Sequence, residues 1–264
     1  MYGSISPVLE AISISLPVAL GSNWTITGSL HLGRELACTR ELDQSYFDRR
    51  IGDRGLWQMV TGNAARSAGM NGIIGTLAPG AVADLIVLNR RSLDPYTAVV
   101  AAESLDIALV MRGGLPLYGD AQLLASLDSG DGVCDPIDVC GSARRICVPR
   151  ETSDTQTFEG LQASVSGTVQ PLAFCDVPEN QPSCVPFRTA PFAYTGIATA
   201  EDQDGDGVPD DLDNCPTIFN PPLPAAEGVQ TDNNGNGIGD ACDDCPLGGC
   251  VNEIFADGFE LAIP

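Results

Sequence analysis

Apolar and polar positions along this chain change rhythm twice, and each change marks a different kind of structure. Residues 7–15 (PVLEAISIS) space their apolar positions three and four apart after a Ser-Pro start, which predicts a helix. The run 16–20 (LPVAL) is short and continuously apolar, as in a strand buried on both faces. The chain turns polar at residues 21–24. Helical spacing then returns over 29–42 and 53–68, where Leu56, Val60 and Ala64 share one face. A strand, a polar crossover and helices predict a piece of a parallel α/β sheet or barrel over residues 1–72.

From Gly72 the period shortens. Residues 83–89 (ADLIVLN) and 107–112 (IALVMR) are apolar, branched runs, and Gly113-Gly114 separates the second from residues 115–118. That pattern predicts antiparallel strands, the last two joined by a Gly-Gly hairpin. Residues 73–125 are too few to close a sandwich core alone. Residues 126–200 scatter Cys134, Cys140, Cys147, Cys175 and Cys184 among Pro, Ser, Thr and Gly, which reads as an irregular, disulfide-stapled module. Residues 201–250 have no apolar period, and 251–264 form a short apolar-acidic tail.

Charge changes the picture most in the last quarter. The net charge is −22, and fifteen of the 35 acidic residues but none of the 13 basic ones lie from Glu201 onward. Such a segment repels nucleic acid and anionic membranes and attracts cations. Ten cysteines, nine of them after residue 130, point to an oxidising setting: extracellular, periplasmic or cell-surface. A single histidine and no paired CxxC knuckles argue against zinc fingers. No apolar run reaches the ~20 residues that a membrane span needs. Met1 is not followed by a basic and then an apolar region, so a signal peptide is expected upstream of it.

Spacing leaves the cysteine connectivity open, with Cys140–Cys147 and Cys175–Cys184 as local candidates. Cys38 sits in a helical apolar stretch and reads as a core thiol. Nine others then remain, so one is free or bonds another chain. Arg144-Arg145 reads as a solvated surface pair. There is no GxSxG elbow and no Walker A motif, and GNGIG (235–239) belongs to the acidic segment described next.

Calcium takes six to eight hard oxygens, which a compact loop supplies from positions 1, 3, 5, 7 (a carbonyl), 9 and 12, with Gly at 6 for the turn. Counted from Asp202, those slots hold Asp202, Asp204, Asp206, the carbonyl of Val208, Asp210 and Asp213, with Gly207 sixth. Counted from Asp232, they hold Asp232, Asn234, Asn236, the carbonyl of Ile238, Asp240 and Asp243, with Gly237 sixth. Two such loops thirty residues apart form an internal repeat. An EF-hand would flank each loop with helices, but Asn214-Cys215-Pro216, Asp244-Cys245-Pro246 and FNPPLP (219–224) stand there instead.

With DQDGDGVPDDLDNCP (202–216), FNP (219–221) and DNNGNGIGDACDDCP (232–246), the segment resembles the thrombospondin type 3 repeat. The resemblance implies a wrap without a hydrophobic core, held by calcium and disulfides, with Cys215 bonded to Cys242. Asn at the third and fifth slots lowers the charge of the second loop, which should bind more weakly.

Residues 3–120 resemble the C-terminal part of metal-dependent amidohydrolases. The carriers are VALGSNWTITGS (18–29), MVTGNAAR (59–66), IGTLAPGAVADLIVL (74–88) and RGGLPLYGD (112–120). The resemblance implies that residues 16–20 are the last strand of a TIM-type barrel. It also implies that residues 73–120 complete a sandwich begun by an N-terminal segment. In such barrels catalytic groups stand at the C-terminal ends of strands. Asn23 stands where the family pattern has an Asp that ligates metal and serves as general base, and a neutral amide does neither. His31, eight residues later on a helix, reads as a surface or packing residue. No catalytic residue is therefore intact, and zinc or another divalent metal is expected only in a full-length parent. Asn23 leaves two readings open, a natural pseudoenzyme and a fragment of a hydrolase of non-peptide C–N bonds.

The expected fold is thus mixed: a fragment of an α/β barrel, part of a β-sandwich, and an irregular calcium- and disulfide-stabilised tail. The expected function is the C-terminal portion of a secreted amidohydrolase-like protein, inactive in this chain, with a structural calcium module. The alternative is a non-catalytic extracellular spacer or adhesion protein. Expected partners are calcium ions and an extracellular protein or a missing N-terminal segment, not nucleic acid or a membrane.

Overall fold

The computed structural model describes residues 7–22, 29, 31–90, 92–127, 133–152, 156–164, 175–176 and 183–248. These residues fall into two compact units. Residues 1–18, 41–52 and 183–264 make the first; residues 19–40 and 53–182 make the second.

In the second unit, five strands form one antiparallel sheet in the order β1-β2-β3-β5-β4. They are β1 (Leu85–Leu88), β2 (Ile107–Arg112), β3 (Leu115–Asp120), β4 (Asp135–Val139) and β5 (Ser142–Ile146). Gly113 and Gly114 turn β2 into β3 with φ of 56° and 84°, a region closed to most side chains, which explains the Gly-Gly pair. Asp84 accepts the Gly113 amide at 2.7 Å and so holds the hairpin end beside β1. The helix α6 (Ala121–Leu127) covers β2 and β3 with the fully buried Leu124.

The partner strands missing from residues 73–125 come from residues read above as irregular. β4 and β5 form a hairpin that adds β5 to β3. This corrects the reading of Arg144-Arg145 as a solvated pair. Successive residues of a strand point to opposite faces. Arg144 is 5% exposed, donates to the Leu105 carbonyl at 2.8 Å and lies 3.7 Å from the Asp120 carboxylate. Arg145 donates to the Cys134 carbonyl.

Cys134 joins Cys147 across this hairpin, and Cys140 joins Cys175. The local pairs Cys140–Cys147 and Cys175–Cys184 therefore do not form, because cross-strand pairing brings Cys134, not Cys140, beside Cys147. Cys38 is disulfide-bonded rather than a core thiol, as are Cys184 and Cys245, and among the described residues no cysteine is free.

Helices appear where the apolar spacing predicts them: α1 (Val8–Ser13), α2 (Leu32–Ser45), α3 (Gly52–Val60) and α4 (Gly62–Ser67). Among the described residues there are also α5 (Pro95–Val100) and α7 (Phe158–Ser164). Helix α3 buries Leu56 and Met59. His31 lies just before α2, half-buried, its Nδ1 accepting the Arg34 amide at 3.3 Å, which makes it a packing residue. Residues 16–20 are not a strand. They have no regular structure: Leu16 is 55% exposed and its amide bonds the Ala11 carbonyl, and the Leu20 amide bonds the Met59 carbonyl at the end of α3. Asn23 lies outside the described residues.

The first unit holds an apolar cluster of Leu9, Phe47, Tyr194, Ile218, Phe219 and Ala241 around the Cys215–Cys242 disulfide. Phe219 is 2% exposed and meets the rings of Tyr46 and Tyr194 edge-on at 5.5 and 5.2 Å, a favoured aromatic geometry. The expectation of a wrap without a hydrophobic core is corrected here. The two acidic loops are too polar to build a core themselves, but Leu9 and residues 42–51 bring apolar side chains to them.

Candidate metal site

The two acidic loops fold by the same local rules, and their hydrogen bonds repeat thirty residues apart. Asp202 accepts the amides of Gly205 and Gly207 on its two oxygens; Asp232 accepts those of Gly235 and Gly237. The third-slot side chains, Asp204 and Asn234, accept the amides of Asp206 and Asn236. The fifth-slot side chains, Asp206 and Asn236, accept those of Val208 and Ile238. The twelfth-slot Asp213 and Asp243 accept those of Cys215 and Cys245. Short acidic and amide side chains bond their own backbone in this way wherever the chain must turn tightly. Gly207 and Gly237 sit in the sixth slot with φ of 90° and 88°, which explains why glycine stands there twice.

These turns aim carboxylates inward in the first loop. Asp202, Asp204 and Asp206 bring one oxygen each within 4.8 Å of one another. Asp204 is 8% exposed and Asp206 is fully buried. Asp206 keeps its second oxygen on the Asn220 amide at 3.2 Å and on Gln230 Nε2 at 3.0 Å. Gln230 Nε2 also donates to Asp213 at 2.8 Å, so one buried amide ties the fifth and twelfth slots together. Two oxygens are left over. Asp204 Oδ2 and Asp213 Oδ2 are buried and accept no hydrogen bond.

Electrostatics agree with that count. Burial, reinforced by Asp206 and Asp213, pushes the Asp204 carboxyl up to about 8. Burial pushes Asp206 up to about 6, with Asp213 and Asp202 adding to the effect, and burial raises Asp213 as well. Carboxyls held this far above their ordinary range are a site that lacks positive charge. Arginine and lysine are absent from residues 201–264, so no side chain there supplies it.

The second loop solves the same problem internally. Where Asp204 presents a bare oxygen, Asn234 presents Nδ2, which donates to Asp243 Oδ2 at 2.7 Å and to the Cys245 carbonyl at 2.8 Å. Asn236 Nδ2 donates to the same Asp243 oxygen at 3.1 Å. Its twelfth-slot carboxylate is thereby satisfied by amide protons.

The ninth-slot residues are held by amides of the second slot. Both oxygens of Asp210 are taken by the backbone and side-chain amides of Gln203, at 2.9 and 2.7 Å. Asn233 holds Asp240 in the same way, at 2.8 and 2.6 Å. Gln203 and Asn233 were not legible as site residues, although an amide in the second slot of both loops was the available signal. Gln230 and Asn220 were missed because only the fold brings them to the first loop.

Residues 198–222 match the thrombospondin type 3 repeat family. Repeats of this type bind calcium, and the match spans the whole first loop. No curated protein and no solved structure matches the chain. The donor set of the repeat fits a hard divalent cation: it consists of oxygens, Asp204 and Asp206 are buried, and two of its oxygens have no other partner. The repeat and the disulfides together fit an extracellular protein. Among the described residues no helix is long and apolar enough to cross a membrane.

Proposed function

We propose that residues 202–213 hold a structural calcium ion through Asp202, Asp204, Asp206, the Val208 carbonyl and Asp213. Residues 232–243 hold a second, weaker one through Asp232, Asn234, Asn236, the Ile238 carbonyl and Asp243. Asp210 and Asp240 complete the sets at the ninth slot, a position often filled through a water, and are steered there by the amides of Gln203 and Asn233. The chain is on this reading an extracellular protein whose C-terminal module is stabilised by calcium. The observation that carries it is the pair of buried, unpartnered oxygens on Asp204 and Asp213. A buried polar group without a partner costs about 1–3 kcal/mol, more when charged, and a bound cation removes that cost.

When bound, calcium supplies charge neutralisation and coordination, not acid–base chemistry. The protein's part is to hold the carboxylates apart from water and in place by their backbone bonds. Isothermal calorimetry with calcium should report binding in the range of about 10⁻⁴–10⁻³ M, as for extracellular modules. Thermal melting should show a matching gain in stability. Absence of both heat and stabilisation at millimolar calcium overturns the reading.

For residues 3–120, the amidohydrolase-like reading rests on the sequence resemblance alone; the antiparallel strands over residues 85–120 follow equally from the apolar pattern. Asn23 in place of the family Asp makes this chain inactive on that reading. Metal analysis of the purified protein tests it, since stoichiometric zinc or iron beside calcium would contradict an inactive site.

A further inference from the structure

The loop pair is packed against residues 41–52 of the same unit, and that segment is held in a form it would not adopt alone. Asp48 and Arg49 are consecutive non-glycine residues with φ of 48° and 60°. Side chains adopt this left-handed region only where the surroundings impose it. Part of the constraint is local: the buried Asp43 accepts the amides of Ile51 and Gly52 at 2.9 and 3.0 Å. The loop pair and the stretch of chain before it bond the residues on either side, Tyr46 and Arg50.

Three short routes connect the candidate ligands to this segment. Asp206 accepts the Asn220 amide, and the neighbouring Phe219 donates its own amide to the Tyr46 carbonyl at 3.0 Å while stacking edge-on against the Tyr46 ring. Gly205, between Asp204 and Asp206, accepts the Gly196 amide, and the Gly196 carbonyl accepts Tyr46 Oη at 2.8 Å. On the second loop, Arg50 donates to the Ala241 and Cys242 carbonyls at 2.6 and 3.0 Å and pairs with Asp244 at 3.1 Å. Arg50 is thus a cationic side chain brought from elsewhere in the chain to a loop pair that has none of its own.

We propose that calcium in the first loop orders residues 41–52, which act as a clasp gripping the loop pair through Tyr46 and Arg50. This rests on the calcium reading above and goes beyond it, because it assigns the ion control over a segment that supplies no ligand. Coupling is reciprocal: whatever calcium does for the clasp, the clasp does for calcium affinity.

Hydrogen–deuterium exchange on the full chain tests it, with calcium against a chelator. Peptides covering residues 46–52 should exchange about tenfold more slowly in calcium, together with those covering 202–213. Tyr46→Ala should weaken calcium binding about fivefold or more, and Tyr46→Phe, which keeps the ring and loses the hydroxyl, by less. Slowing at 202–213 with unchanged exchange at 46–52, or wild-type affinity in Tyr46→Ala, overturns the clasp and leaves the calcium site standing. No calcium effect at 202–213 overturns both.

Discussion

Gln230 Nε2 donates to carboxylates of both Asp206 and Asp213, at 3.0 and 2.8 Å, from a side chain only 9% exposed. Gln230 thereby holds two candidate ligands of the first loop while standing just before the second, and its Oε1 accepts the Asn214 amide between them. Replacing it with Leu keeps the volume and removes the donors. Gln230→Leu should cost about 1–3 kcal/mol of stability in the cation-free chain, read by urea denaturation. It should also weaken calcium binding, since Asp206 and Asp213 lose their common brace.

The two loops predict opposite outcomes for reciprocal substitutions. Asp204→Asn puts an amide where the second loop already tolerates Asn234, and removes a buried, unpartnered oxygen. The cation-free chain should gain on the order of 1–3 kcal/mol while calcium affinity at the first site falls. Asn234→Asp removes donors from Asp243 and the Cys245 carbonyl and adds a like charge, so the cation-free chain should lose stability. Second-site affinity should rise about tenfold, because ligand charge tunes calcium affinity. Calorimetry and chelator-matched melting read both arms; parallel shifts in the two variants would sink the asymmetry.

Calcium binding should strengthen with pH across the neutral range. Asp204 is pushed up to about 8 and Asp206 to about 6, both above the ordinary carboxylate value. Groups raised in the fold bind protons more tightly there than when unfolded, so their contribution to cation-free stability is complete below about pH 4. That contribution is lost as pH rises through 6 and then 8. Protons must leave before a cation can enter, so affinity rises over the same window. Titrations at several pH values between about 5 and 9 should show this with proton release, and a pH-independent affinity would count against these side chains as ligands.

Phe219 ties the aromatic cluster to the loops. Phe219→Ala should destabilise the first unit by about 3–5 kcal/mol, as for other large buried side chains. The loss should be seen in calcium as well as in chelator, because the edge-on packing of Phe219 against Tyr194 lies outside the clasp. Full rescue by calcium would mean that the cluster does not support the loops.

Much of the site was legible because its chemistry is local. Slots set by loop position turned out to carry the repeated Asx-type bonds, and Gly207 and Gly237 stood where the backbone needs a left-handed turn. What lay hidden came from residues distant in the chain. Nothing around Tyr46 or Arg50 marks them as neighbours of residues 196–244, and Gln230 looks like a spacer residue until Asp206 and Asp213 surround it. The strand read into residues 16–20 failed for a related reason. A continuous apolar run says that a segment prefers burial, not that a partner strand exists to pair with it.

By itself, then, the amino-acid order determined the register of the acidic loops, the β2–β3 hairpin and the helices α1–α4, since turn chemistry and apolar period act over a few residues. Tertiary structure alone decided the cysteine pairs outside the loops, the sheet's closing β4–β5 hairpin and the apolar cluster behind the loop pair. Those depend on which distant segments meet. Such meetings are set by the summed burial of many side chains, and no short motif encodes that sum.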